Sequence, residues 1–198
     1  MNSPFSNTSA SLLQQARDQD QRAWRQLVEL YGPLVQRWCK QSGLHDDDTA
    51  DVFQETFRAV ARGLDDYTPQ KSVGSFRSWL RSIVRSKVAD HFRRRRKQPV
   101  GRGGTDAQLY MDNIADPLED DDPQEAEDDH KQIVQRAMEL IRPDYSERNW
   151  QSFWQVAVEG ETAVEVAERL EIDPQVVRQA NYRIRRRLRM VLQDLIDD

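Results

Sequence analysis

Residues 161–195 read ETAVEVAERLEIDPQVVRQANYRIRRRLRMVLQDL, and this stretch decides the fold. Thr162 stands three residues before Glu165, the spacing of a capping box, and opens an apolar run. Ala163, Val166, Ala167 and Leu170 then recur at three and four, so they share one face of a short helix. Glu171-Ile172-Asp173 interrupts the period. Asp173 can cap a second helix, and Pro174 suits its first turn, where no amide needs a partner. Val177, Ala180, Ile184, Leu188, Val191 and Leu195 carry the period onward, while Gln175, Arg178, Gln179, Tyr182 and Arg186 fall on the opposite face. A short helix, a three-residue turn and a longer helix with a polar, cationic face predict a helix-turn-helix aimed at a DNA major groove. Glu171 occupies the place where such a turn usually carries glycine, and a positive φ there would cost roughly 1–2 kcal/mol.

Six arginines and no acid lie between Arg178 and Arg189. They repel one another unless a polyanion is present, and binding to a polyanion releases its counterions. Gln and Arg are also the side chains that read adenine and guanine edges with paired hydrogen bonds. The plainer alternative is a solvated basic helix closing a bundle; it leaves the capped turn unexplained.

The formal net charge of −5 conflicts with such a surface only on average. Residues 112–129 hold ten acids and no base, and the rest of the chain carries +5. Charge is therefore segregated along the sequence. Charged residues make up 32% and hydrophobic ones 37% of 198 residues, which suits two small helical domains with modest cores. Cys39 is the only cysteine, so no intrachain disulfide can form and a reducing, cytoplasmic setting is expected. No basic segment followed by an apolar stretch opens the chain, and no run is long enough to span a bilayer.

Working toward the N-terminus, Trp150, Phe153, Trp154, Val156 and Val158 are expected to pack one helix, ended by Gly160, and Ile133, Val134, Ala137, Met138, Leu140 and Ile141 open another, ended by Pro143. The acidic block ahead of them contains Pro117 and Pro123 and is expected to be disordered. Ser75 leads a strong helix with Phe76, Trp79, Leu80, Ile83, Val84, Val88 and Phe92 on its core stripe. Arg77, Arg81 and Arg85 follow at successive i, i+4 positions, each pair costing about 0.2–0.5 kcal/mol by repulsion. With His91 and the run from Arg93 to Lys97, that arrangement makes sense opposite phosphates; a merely solubilising run is the alternative. Residues 63–75 look like a polar loop with one aromatic, Tyr67; the loop's hydroxyls and amides could hold an unstacked base, or it could serve only as a connector.

Asp46, Asp47 and Asp48 suit the positive end of a helix whose buried side carries Phe53, Phe57, Val60 and Leu64. Asp48, Asp51, Gln54, Glu55 and Arg58 lie away from that side, as a protein-contact face or as an ordinary solvated one. His45 beside three consecutive acids does not make a metal site, because neighbouring acids point in different directions and no second His is near. Farther upstream, a helical pattern runs from Leu12 to Tyr31, Gly32-Pro33 marks a kink or break, and Leu34, Val35, Trp38 and Cys39 follow. The expected organisation is all-α: a flexible tail over 1–9, a helical domain over 10–97, an acidic linker over 98–129 and a second helical domain over 130–198.

Taken together these segments resemble the extracytoplasmic-function (ECF) sigma factors, the small kind with two conserved sigma regions. Asp48-Thr49-Ala50-Asp51-Val52-Phe53-Gln54-Glu55 resembles the segment that binds the clamp helices of RNA polymerase. Residues 75–85, with Asp90-His91-Phe92-Arg93-Arg94, resemble the segment that melts and reads the minus-10 element, and Gly160 through Arg189 the region that reads the minus-35 element. The resemblance implies polymerase contacts at Asp48, Asp51, Gln54 and Glu55. It implies minus-10 contacts at Tyr67, Arg77, Arg81, Arg85, Ser86, Arg93 and Arg94, where Ser86 replaces the family's usual asparagine. Minus-35 contacts fall to Gln175, Arg178, Gln179, Tyr182, Arg183 and Arg186. The implied partners are core RNA polymerase, promoter DNA and an anti-sigma factor, with no membrane and a monomeric chain. No cofactor is implied, and the sequence offers an enzyme no phosphate-binding glycine loop, ligand cluster or His–nucleophile pair. A stand-alone helix-turn-helix regulator is the alternative, and it leaves the first basic helix and the acidic face without roles.

Overall fold

The computed structural model describes residues 11–68, 76–97 and 122–192, and the expected tail over 1–9 and most of the expected linker lie outside them. Among the described residues the structure is all-α, as expected. The helices are α1 (Leu12–Arg17), α2 (Gln21–Gln41), α3 (Asp46–Gly63), α4 (Phe76–Lys97), α5 (Pro123–Ile141), α6 (Glu147–Ala157), α7 (Ala163–Leu170) and α8 (Pro174–Leu192), with a 3-10 turn at Arg142–Asp144. None of them is long and apolar enough to cross a membrane.

The pattern from Leu12 to Tyr31 is two helices. Gln19 takes φ 59°, and the Asp20 carboxylate accepts from the amides of Arg22 and Ala23 (2.7 and 3.3 Å), which starts α2 afresh. Gly32-Pro33, by contrast, breaks nothing: α2 runs through Pro33 to Gln41. A mid-helix proline deprives the carbonyl four residues earlier of its donor. That carbonyl belongs to Glu29, and Arg136 of α5 donates to it through Nε at 3.1 Å. Gly32 lies against the Phe53 ring, which a Cβ there would meet at 3.4 Å, an ordinary contact distance.

Helix α3 turns a different face to the core than its aromatic residues suggest. Thr49, Val52, Thr56 and Val60 are buried, whereas Phe53 and Phe57 are half-buried and stack at 4.9 Å between ring centroids. With Trp24, Val28 and Ala61 they line an open apolar groove. Its N-terminus carries Asp46, Asp47 and Asp48, matching the dipole.

Helix α5 begins at Pro123, with the Asp122 carboxylate accepting from the Gln124 amide at 3.0 Å. Residues 123–129, expected within the disordered linker, are therefore helical. Of the acids in this stretch, Glu125 and Asp129 meet arginines of other elements, described below, while Glu127 and Asp128 pair with Lys131 of the same helix.

One continuous apolar cluster runs from Leu12, Leu13, Leu27 and Tyr31 through Leu80, Val84 and Val88 to Ile133, Ile141, Trp150, Phe153, Ile184 and Val191. It joins α5, α6 and α8 to α1, α2 and α4, so the two expected domains pack on each other. A smaller cluster of Val166, Ala167 and Val177 closes α7 on α8. Trp154 and Val158, read as packing residues, are exposed instead. Cys39 lies in the large cluster, where burial pushes its thiol up to about 11; it is a packing residue.

Candidate nucleic-acid and protein interfaces

The α7–α8 unit is held by three local devices. Thr162 and Glu165 cap α7 reciprocally: the Glu165 carboxylate takes the Thr162 amide and hydroxyl, both at 2.8 Å, and the Thr162 hydroxyl takes the Glu165 amide at 3.3 Å. These hydrogen bonds hold the Glu165 carboxyl below its ordinary range. Glu171 ends α7 at φ 52° and ψ 50°, the left-handed geometry that glycine ordinarily supplies. Its strain is offset by the Ile172 amide bonding the Ala167 carbonyl at 3.0 Å and by Arg148 of α6, which donates to the carbonyls of Leu170 and Glu171. Asp173 then caps α8 through the Gln175 amide at 2.6 Å.

That construction leaves Gln175, Arg178, Gln179, Tyr182, Arg183 and Arg186 all exposed, Tyr182 at 67%. On the other side Val177, Ala180, Asn181 and Ile184 are buried. Asn181 fastens α8 to α6 by donating to the Ser152 carbonyl at 3.3 Å, a role no sequence pattern announces. The six arginines do not share one fate: Arg187 approaches Asp144 at 3.8 Å and is half-buried.

The expected minus-10 residues separate into two groups. Ser86, Arg93 and Arg94 are exposed on α4, and Arg93 pairs with Asp90 at 2.7 Å. Arg85 is half-buried. Tyr67, by contrast, is 8% exposed and packs edge-on against Phe76 at 5.6 Å, so its ring is part of the core rather than a platform for a base. Arg77 is buried as well. Its Nε and Nη2 reach Asp129 Oδ2 of α5 at 2.8 and 2.6 Å. Arg81 Nη2 meets Glu125 Oε2 at 2.6 Å. In this conformation the first two arginines of the i, i+4 series face α5 rather than solvent. Residues 69–75 of the expected base-holding loop lie outside the described residues.

On α3, Asp51 and Gln54 are exposed and Glu55 is half-exposed. Arg58 bonds both Glu55 and Gln54 along the helix, at 2.8 and 3.2 Å. Asp48 stands apart: its carboxylate lies 3.5 Å from His91 Nε2 and 3.3 Å from Arg95 Nη1, both on α4. It ties α3 to α4. The exposed part of the acidic face therefore begins at Asp51 and runs beside the groove of Phe53 and Phe57.

Comparison with known proteins bears most directly on α2, α3 and α4. Residues 27–98 match the family model for sigma-70 region 2. The chain is 38% identical over 85 residues to the RNA polymerase sigma factor CnrH of Cupriavidus metallidurans, which covers 43% of each chain. It is 34% identical over 80 residues to the RNA polymerase sigma factor NccH of Alcaligenes xylosoxydans, covering 40% of this chain and 41% of that one. It is 30% identical over 125 residues to the ECF RNA polymerase sigma factor SigE of Mycolicibacterium smegmatis, covering 62% of this chain and 45% of that one. The matched stretches thus span less than half the length of these relatives. Over residues 27–98 the chain is similar to sigma-70 region 2, and the relatives it resembles over part of its length are RNA polymerase sigma factors, one of them of the ECF type.

Proposed function

We propose that this chain binds core RNA polymerase, directs it to promoters and takes part in strand opening there. It is an initiation factor in this reading, with no chemistry of its own and a cytoplasmic place of action. The observation that carries the reading is the region-2 match over residues 27–98, in the same chain as an exposed face of glutamines and arginines on α8. Asp51, Gln54 and Glu55 would dock on polymerase beside the apolar groove, with Asp48 holding α3 against α4. Arg85, Ser86, Arg93 and Arg94 would lie along the minus-10 element, joined by Arg77 and Arg81 once those are released. Gln175, Arg178, Gln179, Tyr182, Arg183 and Arg186 would enter the minus-35 major groove, read through Gln and Arg pairing with base edges. The working division is a region-2 domain ending near residue 97 and a helix-turn-helix domain from about residue 130. An anti-sigma factor would find its place on either surface. A stand-alone repressor or activator fits less well, because it gives residues 27–98 nothing to do.

Run-off transcription with purified core polymerase on genomic fragments tests this directly. Defined starts are expected only when the chain is present, and their absence removes the reading. On a promoter found this way, Arg178→Ala is expected to cost about 1–3 kcal/mol of binding and to relax preference at one minus-35 position. A loss that is equal across promoter sequences would make Arg178 a phosphate contact instead.

A further inference from the structure

Asp129 is 1% exposed, and a buried carboxylate persists only where it is paired on several sides. Here Arg77 grips Oδ2 through two nitrogens, Arg37 pairs with Oδ1, Arg81 Nη1 stands 3.6 Å from Oδ2, and the Trp38 indole N–H donates at 3.2 Å. The guanidinium carbons of Arg77 and Arg81 lie 5.8 and 5.5 Å from the Trp38 ring centre, so the cleft is lined by three arginines around one aromatic face.

The register is as informative as the burial. Arg77 and Arg81 are one helical turn apart on α4, and Asp129 and Glu125 are one turn apart on α5. Arg77 meets Asp129 while Arg81 meets Glu125 at 2.6 Å, so two turns of one helix match two turns of the other in antiparallel order. Seven residues farther along α5, Arg136 donates to the Glu29 carbonyl that Pro33 leaves without a helical donor. The cationic pair on α4 and the proline in α2 are both costly locally, and α5 satisfies both.

We infer that the cleft of Arg37, Trp38, Arg77 and Arg81 is a receptor for the acidic face of α5, and that docked α5 competes with nucleic-acid phosphates for Arg77 and Arg81. The docked state holds the helix-turn-helix module against the first module and withholds two arginines from DNA. Release of α5 exposes both arginines on α4, the helix that also carries Arg93 and Arg94. The competition half of this inference rests on the function proposed above; the docking half does not.

The test uses the full chain and its Asp129→Asn variant, with small-angle scattering for size and a 20-nucleotide single-stranded DNA as the phosphate probe. The variant is expected to have a larger radius of gyration at unchanged helical content. It should also bind the oligonucleotide about tenfold more tightly, as when a competent state rises from a tenth of the population to most of it. Should the variant lose helical content by circular dichroism, Glu125→Arg decides, because Glu125 is half-exposed and its reversal repels Arg81 without leaving a buried vacancy. An unchanged radius in the deciding variant overturns the docking. A larger radius without tighter DNA binding overturns the competition. A chain that opens and grips DNA yet starts no transcription removes the initiation-factor reading and leaves the receptor standing.

Discussion

Asp51→Arg combined with Glu55→Arg is expected to abolish capture of the chain by purified core RNA polymerase while leaving its helical content unchanged. Both positions lie on the outer side of α3, away from the buried Thr49, Val52, Thr56 and Val60. Glu55 is held within its own helix by Arg58 at 2.8 Å, and an exposed pair of that kind is worth only about 0.3–0.5 kcal/mol, so folding is not at stake. In a docked complex the balance differs. Removing one partner of a buried interfacial charge pair costs about 2–5 kcal/mol, and reversal adds repulsion. Two such losses together weaken association by a factor of about a thousand or more. Asp48→Ala should behave otherwise, because its carboxylate is engaged with His91 and Arg95: it should loosen α3 against α4 and lower stability more than it lowers capture. Capture of the double variant at the parent level would move the docking face off α3.

What could be read from the residues, and what could not, divides by distance along the chain. The capping box at Thr162 and the exposed face from Gln175 to Arg186 are set by neighbours within four positions, and periodicity exposes them; the left-handed turn at Glu171 also leans on Arg148, 23 residues away. The burial of Asp129 depends on Arg77, 52 residues away, and on Trp38, 91 residues away. Seen locally, Asp129 is one more acid in an acidic run, and such runs are usually solvated. Gly32-Pro33 misleads for the same reason: the donor that makes a continuous helix tolerable is Arg136, 107 residues from Glu29. Phe53 and Phe57 are the largest apolar residues of α3, yet two threonines take core positions and leave the aromatics beside a groove. Hydrophobicity ranks residues; it does not say which neighbour arrives to cover them.

The continuity of the apolar cluster makes a second large effect available. Ile184 of α8 is fully buried in the same cluster as Leu12 of α1, Leu27 of α2, Leu80 of α4 and Ile133 of α5. Truncation to alanine removes three buried carbons and leaves a cavity, which costs about 2–5 kcal/mol. Against a total stability of about 5–15 kcal/mol for a typical domain, that is a large fraction. Ile184→Ala is therefore expected to bring the urea midpoint down sharply. The whole chain should feel the change, because α8 shares this cluster with α1, α2 and α4. Far-UV circular dichroism reports every helix, while tryptophan fluorescence reports Trp24, Trp38 and Trp79 on one side and Trp150 and Trp154 on the other. Both signals should fall in one coincident transition, for parent and variant alike. Val166→Ala offers the contrast, since Val166 belongs to the small cluster under the helix-turn-helix and its loss should disturb α7 first. If Ile184→Ala instead melts the second module early and leaves the first untouched, the two modules are thermodynamically separate, and the shared core contributes contact without cooperativity.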